Sequence, residues 1–324
     1  MSTPKEYILS QLRGLSVEVA SPTFQNQTSL VDFLYKSVLS KKFRKYSVTP
    51  EYQNYIRSSI ELNVKNNQPI KITIVFGGYK LWRFKESPEP DWAELFSMIY
   101  YAEWLKPITD AYAPGVWFDF YSDDAIVKYI DNIPREDTER YREVFREILD
   151  FMKLYLPGNM KFTLNRVGDQ YASEEEFLSD VEDRKKKILE QNGGKLPLLS
   201  REQRETLDLN VRLNPGQEND PEWREKVQLM HDAYMQVGKR RPYYRVPDKI
   251  VAITKRLDNT IAVGTTKTSI AKFWAGVGAL KKRDNGFIET ILTPNQLALA
   301  TVAWEPLALD GLNGKNFKEI RIID

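Results

Sequence analysis

The sequence predicts an α/β fold: a mainly parallel sheet flanked by helices, with hairpin strands toward the C-terminus and a helical insertion. Three observations predict it. A β-branched run at 70–76 ends in a glycine pair. From there to residue 167 the pattern alternates strand, helix, strand, helix, strand. The intervals are long enough for crossover helices, which parallel strands require and antiparallel hairpins do not. With 42% hydrophobic and 12% aromatic residues, the chain can bury a substantial core and reads as one α/β domain over 1–324.

Residues 28–40 (TSLVDFLYKSVLS) and 50–65 (PEYQNYIRSSIELNVK) space their apolar side chains as helices do. Pro50 opens the second, where a first-turn amide needs no partner. QPIKITIVF is a buried strand closed by Gly77-Gly78. Asp91 stands three residues before Glu94, the spacing of a capping box, so a helix begins there. Its stripe of Trp92, Leu95, Phe96, Ile99 and Leu105 holds until Pro107, where a kink or restart is expected. YAPG turns the chain into VWFDFYSDD, a strand with Val116, Phe118 and Phe120 on one face. From Asp137 to Leu156 an apolar stripe that includes Tyr141, Phe145, Ile148 and Met152 marks a long amphipathic helix, stopped by Pro157-Gly158. MKFTLNRV is the third strand, and the three strands with their crossover helices make a parallel α/β sheet.

Residues 173–220 are charged and polar and read as a solvated helical insertion. A helix from Pro221 to Gly238 follows, with Trp223, Val227, Met230, Tyr234 and Val237 on one stripe and His231 at its edge. KIVAITKR, NTIAVGTT, FWAGVGALKKR and FIETIL then read as strands. Asp284-Asn285-Gly286 makes the last two a hairpin, and KEIRIID supplies a terminal strand.

Composition closes several function classes. With no cysteine there are no disulfides, thiolate nucleophiles or cysteine-bound metals. A single histidine, His231, rules out His-rich metal centres and leaves any metal to carboxylates, which would suit magnesium or calcium; no metal or cofactor is expected. A net charge of +2 provides no general field for a polyanion, and nucleic acid is not an expected partner. KKFRKY and GKRRPYYR interleave cations with aromatics, a single-strand-binding pattern, but two short basic clusters in a nearly neutral chain also suit a solvated surface. The N-terminus has charges within its first dozen residues and no signal-peptide core, and no stretch is long enough to span a bilayer; a cytoplasmic protein without membrane contact is expected.

Ligands of parallel sheets gather at the carboxyl ends of strands, where several chemically capable residues fall. Gly77 and Gly78 let backbone amides approach a ligand closely. Lys80 beyond them can hold a phosphate or, desolvated, form a Schiff base with a ketone; an ordinary loop lysine has the same pattern. Ser122-Asp123-Asp124 can orient an amine or hydroxyl, or simply cap a helix. Histidine is the side-chain type suited to proton transfer near neutrality, which makes His231 a candidate, though a solvated helix-edge histidine would look the same. GKRRPYYR can bind a phosphate or carboxylate by fork geometry or complement a helix dipole. Gly276 and Gly278 permit close approach of a ligand or of another backbone.

The order of FGGYK, PEPDWAEL, ITDAYAPGVWFDFYSDD and IDNIPREDTERYREVFREIL resembles the isonitrile (isocyanide) synthase family, named for pyoverdine and dityrosine biosynthesis. PYYRVPDKIVAITKR and FWAGVGALKKRDNGFIETIL are similar to two later strands of that family. The resemblance covers 70–155 best and 240–295 loosely. It implies a Rossmann-like fold and an enzyme that condenses the amine of an amino acid with a phosphorylated ketose, making these small molecules the expected partners. It further implies that Lys80 sits near the sugar phosphate or its carbonyl and that Asp123 is the acid of the Ser-Asp strand end. Within this reading Lys80 and Arg245 hold the phosphate beside Gly77, Gly78 and Tyr243, Asp123 orients the amine, and His231 or Lys255 transfers protons. The chain departs from the pattern where the family has histidines: Thr254-Lys255 and Ala275-Gly276 stand there, and the glycine-aromatic turn is one residue shorter and lacks a proline. The competing expectation is a non-catalytic protein that binds a small anionic metabolite or a protein partner.

Overall fold

The computed structural model describes residues 3–40, 50–76, 80, 89–122, 124–237, 251–253, 260–263 and 273–324. Strands β1 (Ile70–Phe76), β2 (Val116–Ser122), β3 (Met160–Arg166), β4 (Val251–Ile253) and β5 (Thr260–Val263) form a sheet of order β3-β2-β1-β5-β4. All neighbours are parallel except β4, which runs antiparallel along β5. The chain steps outward from β1 to β2 to β3 and then returns to the other side of β1 as β5. The order therefore reverses between β1 and β5, and the crevice outside their carboxyl ends is where such sheets take ligands.

Helices α1 (Pro4–Leu15), α2 (Gln27–Val38) and α3 (Pro50–Lys65) precede the sheet. Among them α1 was not evident from apolar spacing, although Thr3 and Glu6 form a capping box at its start. The crossover β1 to β2 carries α4 (Trp92–Ala111), and β2 to β3 carries the short α5 (Val127–Ile130) and the long α6 (Arg135–Met152). Pro107 lies inside α4, which continues through it rather than restarting.

The face of β2 bearing Phe118 and Phe120 packs against Tyr101 of α4 and Phe145 of α6; ring centroids lie 4.7 Å apart for Tyr101–Phe118 and 5.2 Å for Phe120–Phe145. The reverse face carries Trp117, Asp119 and Tyr121. There Asp119 is buried and accepts hydrogen bonds from Thr163 Oγ1 at 2.8 Å and from Asn165.

Helices α7 (Glu174–Gln191), α8 (Arg201–Asn210) and α9 (Trp223–Tyr234) make up the charged region and its sequel. The region is less solvated than its composition implies. Phe177 and Val181 of α7 join Trp223, Val227 and Tyr234 of α9 in an apolar cluster that also holds Tyr121 of β2 and Val167 just past β3. The insertion is thereby anchored at the carboxyl end of the sheet.

A second sheet has the order β7-β6-β9-β8, from β6 (Val277–Arg283), β7 (Gly286–Leu292), β8 (Ala303–Pro306) and β9 (Glu319–Ile323). Helix α10 (Pro294–Leu299) links β7 to β8. The β6–β7 hairpin turns at Asp284-Asn285, with Gly286 at φ 151°. Leu280, Ile320 and Ile322 of this sheet share one apolar core with Ile72, Phe118 and Leu105. Among the described residues no helix is long and apolar enough to cross a membrane.

Candidate functional site

Several polar groups converge on the first turn of α4, at the carboxyl rim. Asp91 is its N-cap, accepting from Ala93 N at 2.9 Å, while Glu94 Oε2 accepts from Asp91 N at 2.8 Å, completing the capping box. Both acids are buried, as are their apolar neighbours Trp92, Leu95 and Phe96. Lys80, just past the end of β1, reaches them with Nζ 2.8 Å from Asp91 Oδ1 and 2.6 Å from Glu94 Oε2. Its side chain is 1% exposed.

Two further elements close on this turn. From the second sheet, Gly278 N donates to both Asp91 oxygens at 3.2 Å and Arg321 Nη1 donates to Asp91 Oδ2 at 3.0 Å. A Cβ on residue 278 would lie 2.6 Å from the carbonyl carbon of Trp92, so the close approach that Gly278 permits is to a helix backbone. Arg321 also lies over the ring of Trp304, 4.4 Å from its centroid. From α6, Tyr141 donates its hydroxyl to Glu94 Oε1 at 2.9 Å.

The electrostatics divide the two acids. Burial pushes Asp91 up, but the Lys80 and Arg321 cations outweigh it and hold the carboxyl below its usual range. Burial pushes Glu94 up to about 7, with Lys80 opposing and Asp91 adding to the rise. Tyr141 is raised well above the ordinary phenol range by burial and then by the Glu94, Asp91 and Asp124 charges.

A second charged cluster occupies the ends of β2 and β3. Arg166 Nε lies 2.8 Å from both Asp124 oxygens, and its Nη1 is 3.5 Å from Asp169 and 3.6 Å from Glu139. Arg142 of α6 pairs with Glu139 and lies 3.8 Å from Asp169. Burial raises the Asp124 carboxyl against the pull of Arg166. The two clusters meet on α6, since Asp124 acts on Tyr141.

Of the residues singled out from the sequence, Lys80 is at the rim beyond β1. Its charge is matched there by two carboxylates, so as placed it offers no free cation to a phosphate. His231 is on α9, half-exposed, with Nδ1 3.5 Å from Asp232 Oδ1, and it also acts on Asp131. Gly77, Gly78, Asp123, Tyr243, Arg245 and Lys255 lie outside the described residues. Asp91, Glu94, Tyr141, Arg166 and Arg321 were not anticipated as site residues. Asp91 and Glu94 had been read only as a cap and Tyr141 only as part of an apolar stripe. The usable signal was two acids embedded in the apolar run DWAELF, which no solvated helix start needs. Among the described residues no group of three or more His, Asp or Glu side chains is arranged to hold a metal ion.

No protein-family model matches the chain, and no curated protein matches it. Among solved structures, the PvcA protein from Pseudomonas aeruginosa is similar with a TM-score of 0.52 and 14% identity, over 90% of this chain and 99% of that one. At that identity the likeness is one of fold.

Proposed function

We propose that this chain is an isonitrile-synthase-like enzyme that joins the amine of an amino acid to a phosphorylated ketose at the carboxyl rim of its parallel sheet. The observation that carries the reading is a buried, doubly ion-paired lysine beside the point where strand order reverses. Two likenesses support the reaction class. The motif order resembles a family named for pyoverdine and dityrosine biosynthesis, and PvcA is similar in fold. In this reading Lys80 fixes the charge of the rim. The phosphate falls to Arg245 and Tyr243 with the amides of Gly77 and Gly78, Asp123 orients the amine, and His231 or Lys255 moves protons.

The test is thermal unfolding with ribulose 5-phosphate, tyrosine and tryptophan, followed by a search for an isonitrile product by infrared absorption. A ligand at a hundred times its dissociation constant should add about 2.7 kcal/mol. Stabilisation by a ketose phosphate together with product supports the enzyme. If neither sugar phosphate nor amino acid raises Tm, the reading is lost. A second reading, a non-catalytic protein that binds a small anionic metabolite or a protein partner, is favoured by Thr254-Lys255 and Ala275-Gly276 standing where the family has histidines. Stabilisation without product would select it.

A further inference from the structure

Parallel sheets are usually covered by helices on both faces, and their strands then read apolar throughout. Strands β1 and β3 depart from this: they set Lys71, Thr73, Lys161, Thr163 and Asn165 opposite their apolar residues. Helices α4 and α6 pack on the other face, against Phe118 and Phe120. On the reverse face the register lines up one residue from each of four adjacent strands: Lys161 of β3, Trp117 of β2, Lys71 of β1 and Thr260 of β5. The insertion rests on this face only toward its carboxyl end, through Tyr121. In the row itself Trp117 and Lys71 are half-buried and Lys161 is exposed.

The row holds polar groups that the fold leaves unmatched. Lys71 Nζ lies 5.9 Å and Lys161 Nζ 5.5 Å from the centroid of the Trp117 ring, and neither lysine is ion-paired among the described residues. The indole is fixed between them, since Nε1 donates to Thr163 Oγ1 at 2.8 Å and that hydroxyl donates to Asp119 Oδ1. Beside Lys71, Thr260 is 2% exposed, and its buried hydroxyl has no hydrogen-bond partner among the described residues. A cation without a carboxylate and a buried donor without an acceptor lack the same thing, an anionic oxygen.

We propose that this row binds the phosphate ester of a small metabolite, with Lys71 and Thr260 touching the phosphate and Lys161, beyond Trp117, adding charge. Two cations match the nearly double charge of a phosphate monoester at neutral pH. The one acid on this face of the four strands is Asp119, in the next row, and its Oδ1 accepts from Thr163 and Asn165. That acid and a chain net charge of only +2 leave no track for a polyanion. Exposure of Lys161 keeps the β3 end open to the body of the ester. The row lies five residues short of the strand ends, about 16 Å from the carboxyl rim, so the inference stands apart from the reaction assigned there.

The test is thermal unfolding of the full chain with glycerol 3-phosphate, inorganic phosphate and acetate at constant ionic strength. Glycerol 3-phosphate should raise Tm at least as far as inorganic phosphate, and acetate should not. Lys71→Gln and Thr260→Val should each weaken the response about tenfold or more, and Lys161→Gln about threefold. Without ligand, Thr260→Val should melt no lower than the unaltered chain, because the hydroxyl it removes has no partner; its lost response is then not lost folding. A rise that Lys71→Gln and Thr260→Val leave intact would be the general effect of phosphate on protein surfaces and would overturn the proposal. So would an acetate response equal to that of the esters, a response to inorganic phosphate alone, or a Thr260→Val that melts lower without ligand. Tighter binding of a single-stranded oligonucleotide, lost in the same variants, would replace the small ester with a polyanion.

Discussion

The two charged clusters of the carboxyl rim use the same kinds of side chain and differ in how far water reaches them. At the first turn of α4, Lys80, Asp91 and Glu94 are 0–2% exposed. At the ends of β2 and β3 the inner pair, Arg166 and Asp124, is nearly as buried, but its outer partners open outward: Asp169 is 42% exposed and Glu139 27%. In the sealed cluster each charge depends on a particular partner, and two neighbouring carboxyls are driven in opposite directions. In the open one, solvent can substitute for a lost partner. Burial without exit thus turns an ion pair into a device for separating protonation states.

The largest expected effect follows from breaking the sealed cluster. Lys80→Met leaves two buried acids without their shared cation and should cost about 3–5 kcal/mol in urea unfolding at neutral pH. Adding Glu94→Gln to that variant should change stability little, since burial drives Glu94 to its neutral form once Lys80 is gone. A loss no larger than the open cluster shows would mean that water enters the α4 turn and that the contrast between the clusters is not real.

The sheet was legible in the sequence because its signals are local. The β-branched run of β1 and the Asp91–Glu94 cap each lie within a few residues of the element they define and fell where expected, whereas α6 ends at Met152, short of the Pro157-Gly158 expected to stop it. Gly286 likewise announced the β6–β7 hairpin. The parallel pairing of β6 with β9 had no local signal, nor did the docking of Gly278 on α4, and α10 and β8 were not read at all. The site was half legible for the same reason. Lys80 stood out beside two glycines, but its partner Glu94 also needs Tyr141, 47 positions further on, and Asp91 needs Arg321, 230 positions away. Such pairs are made by topology, and no spacing along the chain encodes them.

The contrast sharpens when pH is varied. Glu94 has its folded pKa raised from 4.5 to about 7, so the stability it contributes is complete below about 4.5 and is lost as pH rises through 7. Asp91 is depressed, so its contribution is present above its ordinary value of 3.8 and is lost as pH falls through the folded value. Glu94→Gln should therefore flatten the decline of stability between pH 4.5 and 7, and Asp91→Asn should cost most at neutral pH and progressively less in acid. Thermal unfolding across this range reads both slopes, and equal slopes would dissolve the division of labour between the two acids.

The smallest expected effect comes from the open cluster. Arg166→Met removes the guanidinium that holds both Asp124 oxygens, and the hydrogen bonds to a charged group that vanish with it are worth about 1.5–3 kcal/mol. Two circumstances keep the loss below that of Lys80→Met. Burial already favours the neutral form of Asp124, so the stranded carboxyl can take up a proton instead of remaining charged. Arg142, which already acts on Asp124, is on hand as a second cation. The remaining loss should therefore shrink as pH falls, and Asp124→Asn combined with Arg166→Met should be nearly as stable as Arg166→Met alone. Urea unfolding of the three variants at pH 5 and 8 measures this; a pH-independent loss as large as that of Lys80→Met would place Arg166 and Asp124 in the sealed class.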